Sequence, residues 1–352
     1  MSLKDGPIHN MPRIITARNA NDALREGLYW LATAGLVNDS RNGPVLVAPG
    51  PVLTHYTRPT ERVLFSALRD ANPFFHLYEC IWMMAGRKDA ASVAQYARTM
   101  DMFANDDGDL AGAYGARWRR HFGFDQLTSI IDLLRGDVKS RRGVLQMWDA
   151  VFDLATVGNS KDVPCNTAVY FDATDGFLNM TVTNRSNDIV WGAYGANSVH
   201  MSFLQEFIAA AIGAPVGSYY QFSNNYHTYV DRPDVARLIS PRGAGYNVNY
   251  HSDDRYAAGV KTYAMNHGTF DYRKFIHECE HLAEHPCDSN VGFTPFLHHV
   301  VVPLMRAHRE YKYGDYKGAL YAAQGCQAKD WRSAATEWLE RRESARNAKV
   351  VA

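Results

Sequence analysis

Two short runs rich in β-branched and aromatic residues, 167–171 and 177–182, lie close together near the middle of the chain, and helix-period segments flank them on both sides. A sheet with helices packed around it is the arrangement this order allows. Residues 21–34 repeat Ala23, Leu24, Leu28 and Leu31 at helical spacing. Residues 73–86 predict a strongly apolar helix opening on Pro73, and 90–103 and 124–134 predict amphipathic ones. Further strands are expected at 143–148 and 218–223, and further helices at 199–212, 316–323 and 329–346. The predicted class is α+β.

With 352 residues, 46% of them hydrophobic, the chain can bury one large core or two modest ones. It has no repeat, low-complexity tract or obvious linker, so a single domain over residues 1–352 is the simpler expectation. Thirty-seven basic residues offset thirty-seven acidic ones, leaving no global field to recruit nucleic acid or an anionic membrane. Anion recognition must then be local, which suits a small charged ligand. The five cysteines are odd in number, no apolar signal segment opens the chain, and no run is long enough to span a bilayer. These features point to free thiols in a reducing cytoplasm, that of a host cell if the gene is viral.

Several residues carry chemistry against this background. Cys165 sits in Asp162-Val163-Pro164-Cys165-Asn166-Thr167, a tight turn feeding a strand, and Arg185 follows about twenty residues later. A cysteine is a useful nucleophile as the thiolate, and a nearby guanidinium favours that form. Glu79 lies among Phe74, Phe75, Leu77, Ile81 and Trp82. Burial there raises a carboxyl pKa and makes a proton shuttle; the alternative is a surface Glu on one polar stripe. Arg141 and Arg142 precede a strand, either as solvated loop charges or as a bidentate phosphate clamp. The polar loop 39–43, containing Arg41, could hold an anion.

Taken in order, these segments resemble thymidylate synthase and its pyrimidine hydroxymethylase relatives. Tyr78-Glu79-Cys80-Ile81-Trp82 is similar to the family's glutamate helix, and Gly108-Asp109-Leu110 through Tyr114-Gly115-Ala116-Arg117-Trp118 to its tyrosine segment. Asp125-Gln126-Leu127, Ser140-Arg141-Arg142, Val163-Pro164-Cys165 and Arg185-Ser186-Asn187-Asp188 with Gly192 follow in the family's order. The resemblance runs from about Ser66 to Tyr229. The first sixty residues match poorly and read as a divergent N-terminal segment, and about 231–352 as a C-terminal elaboration, within which 233–299 is expected to form an ordered surface cap.

The resemblance implies a central mixed or antiparallel sheet flanked by helices, with the sheets of two subunits packed back to back in a two-fold homodimer. It also implies that Cys165 adds to C6 of a pyrimidine nucleoside 5′-monophosphate, so that C5 attacks the methylene carbon of the cosubstrate 5,10-methylenetetrahydrofolate. Glu79 would move protons at the base and at folate nitrogen, and Tyr114 would orient the water that takes the C5 proton. Arg185 and Ser186 would hold the phosphate, joined by Arg141 and Arg142 of the partner subunit and by Arg41. Asp188 and Gly192 would face the pterin, Met100 would lie on the folate side, Asn197 would read the base, and Tyr220, Asn224 and His227 would meet base and sugar.

Departures from the synthase pattern favour a 5-hydroxymethylase of uridylate or cytidylate, with reductive thymidylate synthase as the alternative. Met100 and Phe103 stand where synthases shield the folate with tryptophans, Asp162 replaces an apolar residue, and Asn166 replaces a histidine. Each change gives water better access to the exocyclic carbon. Asn197 arrives one residue late, and its amide can satisfy either base; Phe222 cannot bond a sugar hydroxyl. A catalytically silent homologue would need the arginines but not Cys165, Glu79 and Tyr114. His277-Glu278-Cys279-Glu280-His281 matches a zinc-peptidase pattern but reads as a solvated amphipathic helix, so no metal is expected.

Overall fold

The computed structural model describes residues 11–156, 160–231, 254–288 and 292–351. The described strands are β1 (Arg13–Ala17), β2 (Leu36–Ser40), β3 (Gly43–Val47), β4 (Val52–Tyr56), β5 (Val144–Gln146), β6 (Asn166–Asp172), β7 (Leu178–Asn184), β8 (Asn187–Asp188), β9 (Val216–Ser223) and β10 (Tyr226–Tyr229). Six form a sheet in the order β1-β4-β9-β7-β6-β5, and four form a second in the order β2-β3-β10-β8. The larger sheet is mixed: β1 runs parallel to β4 and β7 to β9, while the other neighbours are antiparallel.

Alternation in β7 turns Leu178, Met180, Val182 and Asn184 inward, with Asn179, Thr181 and Thr183 on the other face. The helix Asn197–Ile212 packs on the inner face and is buried from Asn197 to Ala211, which makes it a core helix and not an amphipathic one. Gln205 Nε2 pins it to the sheet through Leu178 O at 2.8 Å and Ser218 O at 3.1 Å. Against it lies the helix Pro73–Met84, capped by Asn72 Oδ1, which accepts from the amides of Phe74 and Phe75. This crossing brings Glu79 and His200 together. One hydrophobic cluster extends from Ile15 to Leu339.

Three expectations need correction. Residues 90–103 are not one helix: an α-turn over Ala90–Ala94 gives way to a 3-10 turn over Arg98–Phe103 that buries no side chain. Asn72 Nδ2 takes the Tyr96 carbonyl at 2.9 Å, and the Tyr96 ring stacks between Tyr78 and His308, so the ladder is interrupted there. The first sixty residues also hold four strands that the sequence does not announce; β2 is exposed at every position, so it has no apolar alternation to read. The expected cap over 233–299 lies partly outside the described residues. Its described part sends Tyr256, Met265, Tyr272 and Phe275 into the core.

Candidate active site

Cys165 lies half-buried one residue before β6, next to a register shift between Asn166 and Ala168. Arg185, in the bend after β7, wraps this turn. Its amide donates to Cys165 O at 2.9 Å, its Nε to Pro164 O at 2.9 Å and its Nη2 to Val163 O at 2.9 Å, and Nη2 stands 4.0 Å from Sγ. Thiol and guanidinium are therefore neighbours, as the sequence implies. The depressed thiol pKa expected from that neighbour does not follow within the protomer. Burial pushes Cys165 above its ordinary value, Arg185 opposes the rise, and the carboxylates of Asp162 and Asp188 add to it. One guanidinium already shared with two carbonyls does not offset these effects.

Tyr114 and Asp162 face the same turn. The Tyr114 hydroxyl accepts from the Asn166 amide at 3.2 Å, and burial holds this phenol protonated. Asp162 Oδ2 accepts from Gly112 N at 2.8 Å. A Cβ on Gly112 would come within 2.9 Å of both carboxylate oxygens, so that position must be glycine. Burial raises the Asp162 pKa, with the Gly112 amide opposing, so the residue is not a solvated loop charge. Glu79 Oε2 approaches His200 Nε2 to 3.1 Å without the alignment of a hydrogen bond, and the His76 ring packs edge-on against His200. Burial, then Arg69, keeps His76 neutral. His200 was not anticipated; the available signal was a histidine inside an otherwise buried helix.

Asp188 closes the next part of the site. Its Oδ1 accepts from Val190 N at 3.0 Å and Trp191 N at 2.6 Å, capping the π-helical stretch Ile189–Ala196, while Oδ2 is buried with no hydrogen-bond partner. An orphaned carboxylate oxygen suits the N–H donors of a pterin. Across the β8–β10 pair lies His227, whose Nδ1 meets Asn225 Oδ1 at 2.8 Å. Burial pushes Asp188 up and His227 down.

Behind the nucleophile, four asparagines and a serine form a buried line. Asn166 and Asn197 are joined at 3.1 Å, Asn197 and Asn187 at 3.0 Å, Asn187 and Ser223 at 3.0 Å, and Asn184 bonds Asn166. Asn166 therefore does not face an open water site. A Cβ on Gly192 would fall 2.8 Å from Asn187 Oδ1 and 3.3 Å from Asn197 Nδ2, so the space left by this glycine accommodates the amide line.

Other expected residues are dispersed. Tyr220 is on the opposite face of β9 from Tyr219, Gln221 and Ser223 and stacks on His55 at 4.6 Å, away from the asparagine line. Asn224 is exposed, its amide bonded to Asn184 O. Ser186 follows Arg185 in the bend. Arg41 is exposed in the β2–β3 turn of the second sheet, and none of the contacts described joins it to Cys165. Arg141 and Arg142 are exposed before β5, with no side-chain partner among the described residues. Met100 packs against the core, and Phe103 is exposed. In the helix Tyr272–Glu284, Glu278 turns into the core to accept from Thr294 N, His277 is exposed and His281 pairs with Asp288; among the described residues no group of three or more His, Cys, Asp or Glu converges.

Comparison with known proteins agrees with this geometry. The thymidylate synthase family model matches residues 66–249. A deoxyuridylate hydroxymethyltransferase of Pseudomonas phage M6 is 44% identical over 340 residues, spanning 95% of each chain. Another protein of that name, from Bacillus phage SP01, is 33% identical over 214 residues, 58% of this chain and 55% of its own length. A putative thymidylate synthase of Methanothermobacter thermautotrophicus is 39% identical over 125 residues, 35% of this chain and 54% of its own. On the family match together with the phage M6 similarity along nearly the whole chain, this protein belongs to the thymidylate synthase family.

Proposed function

We propose that this protein is a single-domain 5-hydroxymethylase of deoxyuridylate that uses 5,10-methylenetetrahydrofolate as cosubstrate. The observation that carries the reading is the Cys165 turn itself. Its thiol is flanked by Arg185, by the Tyr114 hydroxyl and by the carboxylates of Asp162 and Asp188, in a chain similar along 95% of its length to a deoxyuridylate hydroxymethyltransferase.

In this reading the Cys165 thiolate adds to C6 of the base, which makes C5 nucleophilic, and the bond is broken again when product leaves. The folate cosubstrate supplies a one-carbon unit at the oxidation level of formaldehyde. Tyr114, kept protonated by burial, positions the water that receives the C5 proton. Glu79, paired with His200, moves the proton at the 4-position of the base. Asp162 holds the water that adds to the exocyclic carbon, the step that separates hydroxymethylation from reductive methylation. Arg185 and Ser186 bind the phosphate, Asp188 Oδ2 receives pterin N–H groups, and Asn225 with His227 meets the sugar. Arg141 and Arg142 complete the phosphate site of a second subunit.

Incubating the protein with methylenetetrahydrofolate and each of dUMP, dCMP, UMP and CMP, with both products identified by mass, tests the reading. Tetrahydrofolate together with a hydroxymethyl gain on dUMP is expected. Dihydrofolate together with a methyl gain would overturn it in favour of a thymidylate synthase.

A further inference from the structure

The buried asparagine line has a single direction. Asn184 Nδ2 donates to Asn166 Oδ1, Asn166 Nδ2 to Asn197 Oδ1, Asn197 Nδ2 to Asn187 Oδ1, and Asn187 Nδ2 to Ser223 Oγ. All five residues are buried, with exposures from 0% at Asn166 to 6% at Asn197. An amide has one donating and one accepting end, so turning Asn197 over would set N–H against N–H toward Asn166 and O against O toward Asn187. The stretch Ile189–Ala196 packs on that junction through Gly192, where even a Cβ would collide, which leaves no room for an amide to swing aside.

We propose that this line is a positioning network that fixes the amide of Asn197 in one orientation and thereby makes the site choose uracil over cytosine. The inference rests on the reading above in one respect: that Asn197 faces a pyrimidine. Beyond its two bonds in the line, Asn197 keeps one N–H and one Oδ1 lone pair. Uracil presents an acceptor at O4 beside a donor at N3, and cytosine presents the reverse, a donor at N4 beside an acceptor at N3. A freely turning amide serves both edges; a fixed one serves one. Asn184, Asn187 and Ser223 act through Asn197 and are not assigned any contact with substrate.

The test is equilibrium binding of dUMP and dCMP to the full chain by calorimetry, without folate, with deoxyribose 5-phosphate as a base-free control. Wild type is expected to prefer dUMP by about tenfold or more, the range set by one well-made bidentate contact. Asn187→Ala and Asn184→Ala are expected to reduce that preference to within about threefold, with the base-free control unchanged. Asn187→Asp retains an acceptor toward Asn197 Nδ2 and can accept from the Ser223 hydroxyl, so it is expected to keep the preference. If Asn184→Ala does not fold, the two Asn187 variants suffice. Wild type without base preference, or Asn187→Ala weakening both nucleotides equally, overturns the proposal. Selective dUMP binding without any hydroxymethylated product would overturn the proposed function and leave this inference standing.

Discussion

Cys165 shows why one neighbouring cation does not suffice to activate a thiol. Burial and two carboxylates push its pKa up, and Arg185 is the group that lowers it. Removing that guanidinium disfavours the thiolate further, so Arg185→Gln should shift alkylation of the Cys165 peptide by iodoacetamide to higher pH, as followed by mass spectrometry; an unshifted profile would show that Arg185 does not govern the sulfur. Cys165→Ala should abolish turnover while leaving dUMP binding measurable by calorimetry. Asp162→Asn keeps the size and the Gly112 contact but removes the base, so hydroxymethylated product should form roughly 10²–10⁴-fold more slowly, with dUMP affinity changed only slightly. At this scale Cys165, Arg185, Glu79, Tyr114 and Asp188 were legible because each sits in a contiguous motif. His200 and the Asn184–Asn187 connection were not, because they arise where separate elements meet and leave no local pattern.

Elements were legible where their periodicity was carried by burial. The runs that became β6, β7 and the helices Pro73–Met84 and Asn197–Ile212 each present a continuous apolar face to one core, and their ends fell within a few residues of expectation. The failure at 90–103 has a tertiary origin, and Asn72 is its hinge. Its Oδ1 caps one helix, while its Nδ2 holds the Tyr96 carbonyl that would otherwise continue another. Asn72→Ala removes both roles, so unfolding in urea should show a loss of about 1–2 kcal/mol, at or above the upper half of what a bare N-cap contributes. Asn72→Asp, which keeps the cap but not the donor to Tyr96, should lose less; equal losses would mean that the Tyr96 bond contributes nothing.

For the whole molecule, the outer face of the six-stranded sheet carries the remaining consequence. A cross-strand row runs through Thr16, His55, Tyr220, Thr181, Tyr170 and Val144, and Ile14 is 61%, Tyr170 46% and Val144 40% exposed. Apolar and aromatic groups at this density on one sheet face suit a two-fold contact in which the same row meets itself. The displacement of Tyr220 from the nucleotide site then has a physical reason, since it belongs to this face. Such packing would also give the exposed Arg141 and Arg142, which have no side-chain partner in their own protomer among the described residues, a phosphate in the neighbouring subunit. Sharing of that kind has a distinctive signature in mixed dimers. Cys165→Ala and Arg142→Glu should each be inactive alone, yet after unfolding and joint refolding in equal amounts they should recover about a quarter of wild-type activity, because half of the dimers are mixed and each holds one site with both an intact thiol and an intact arginine. No recovery beyond the sum of the separate proteins, with dimers confirmed by sedimentation, would place each site within a single chain.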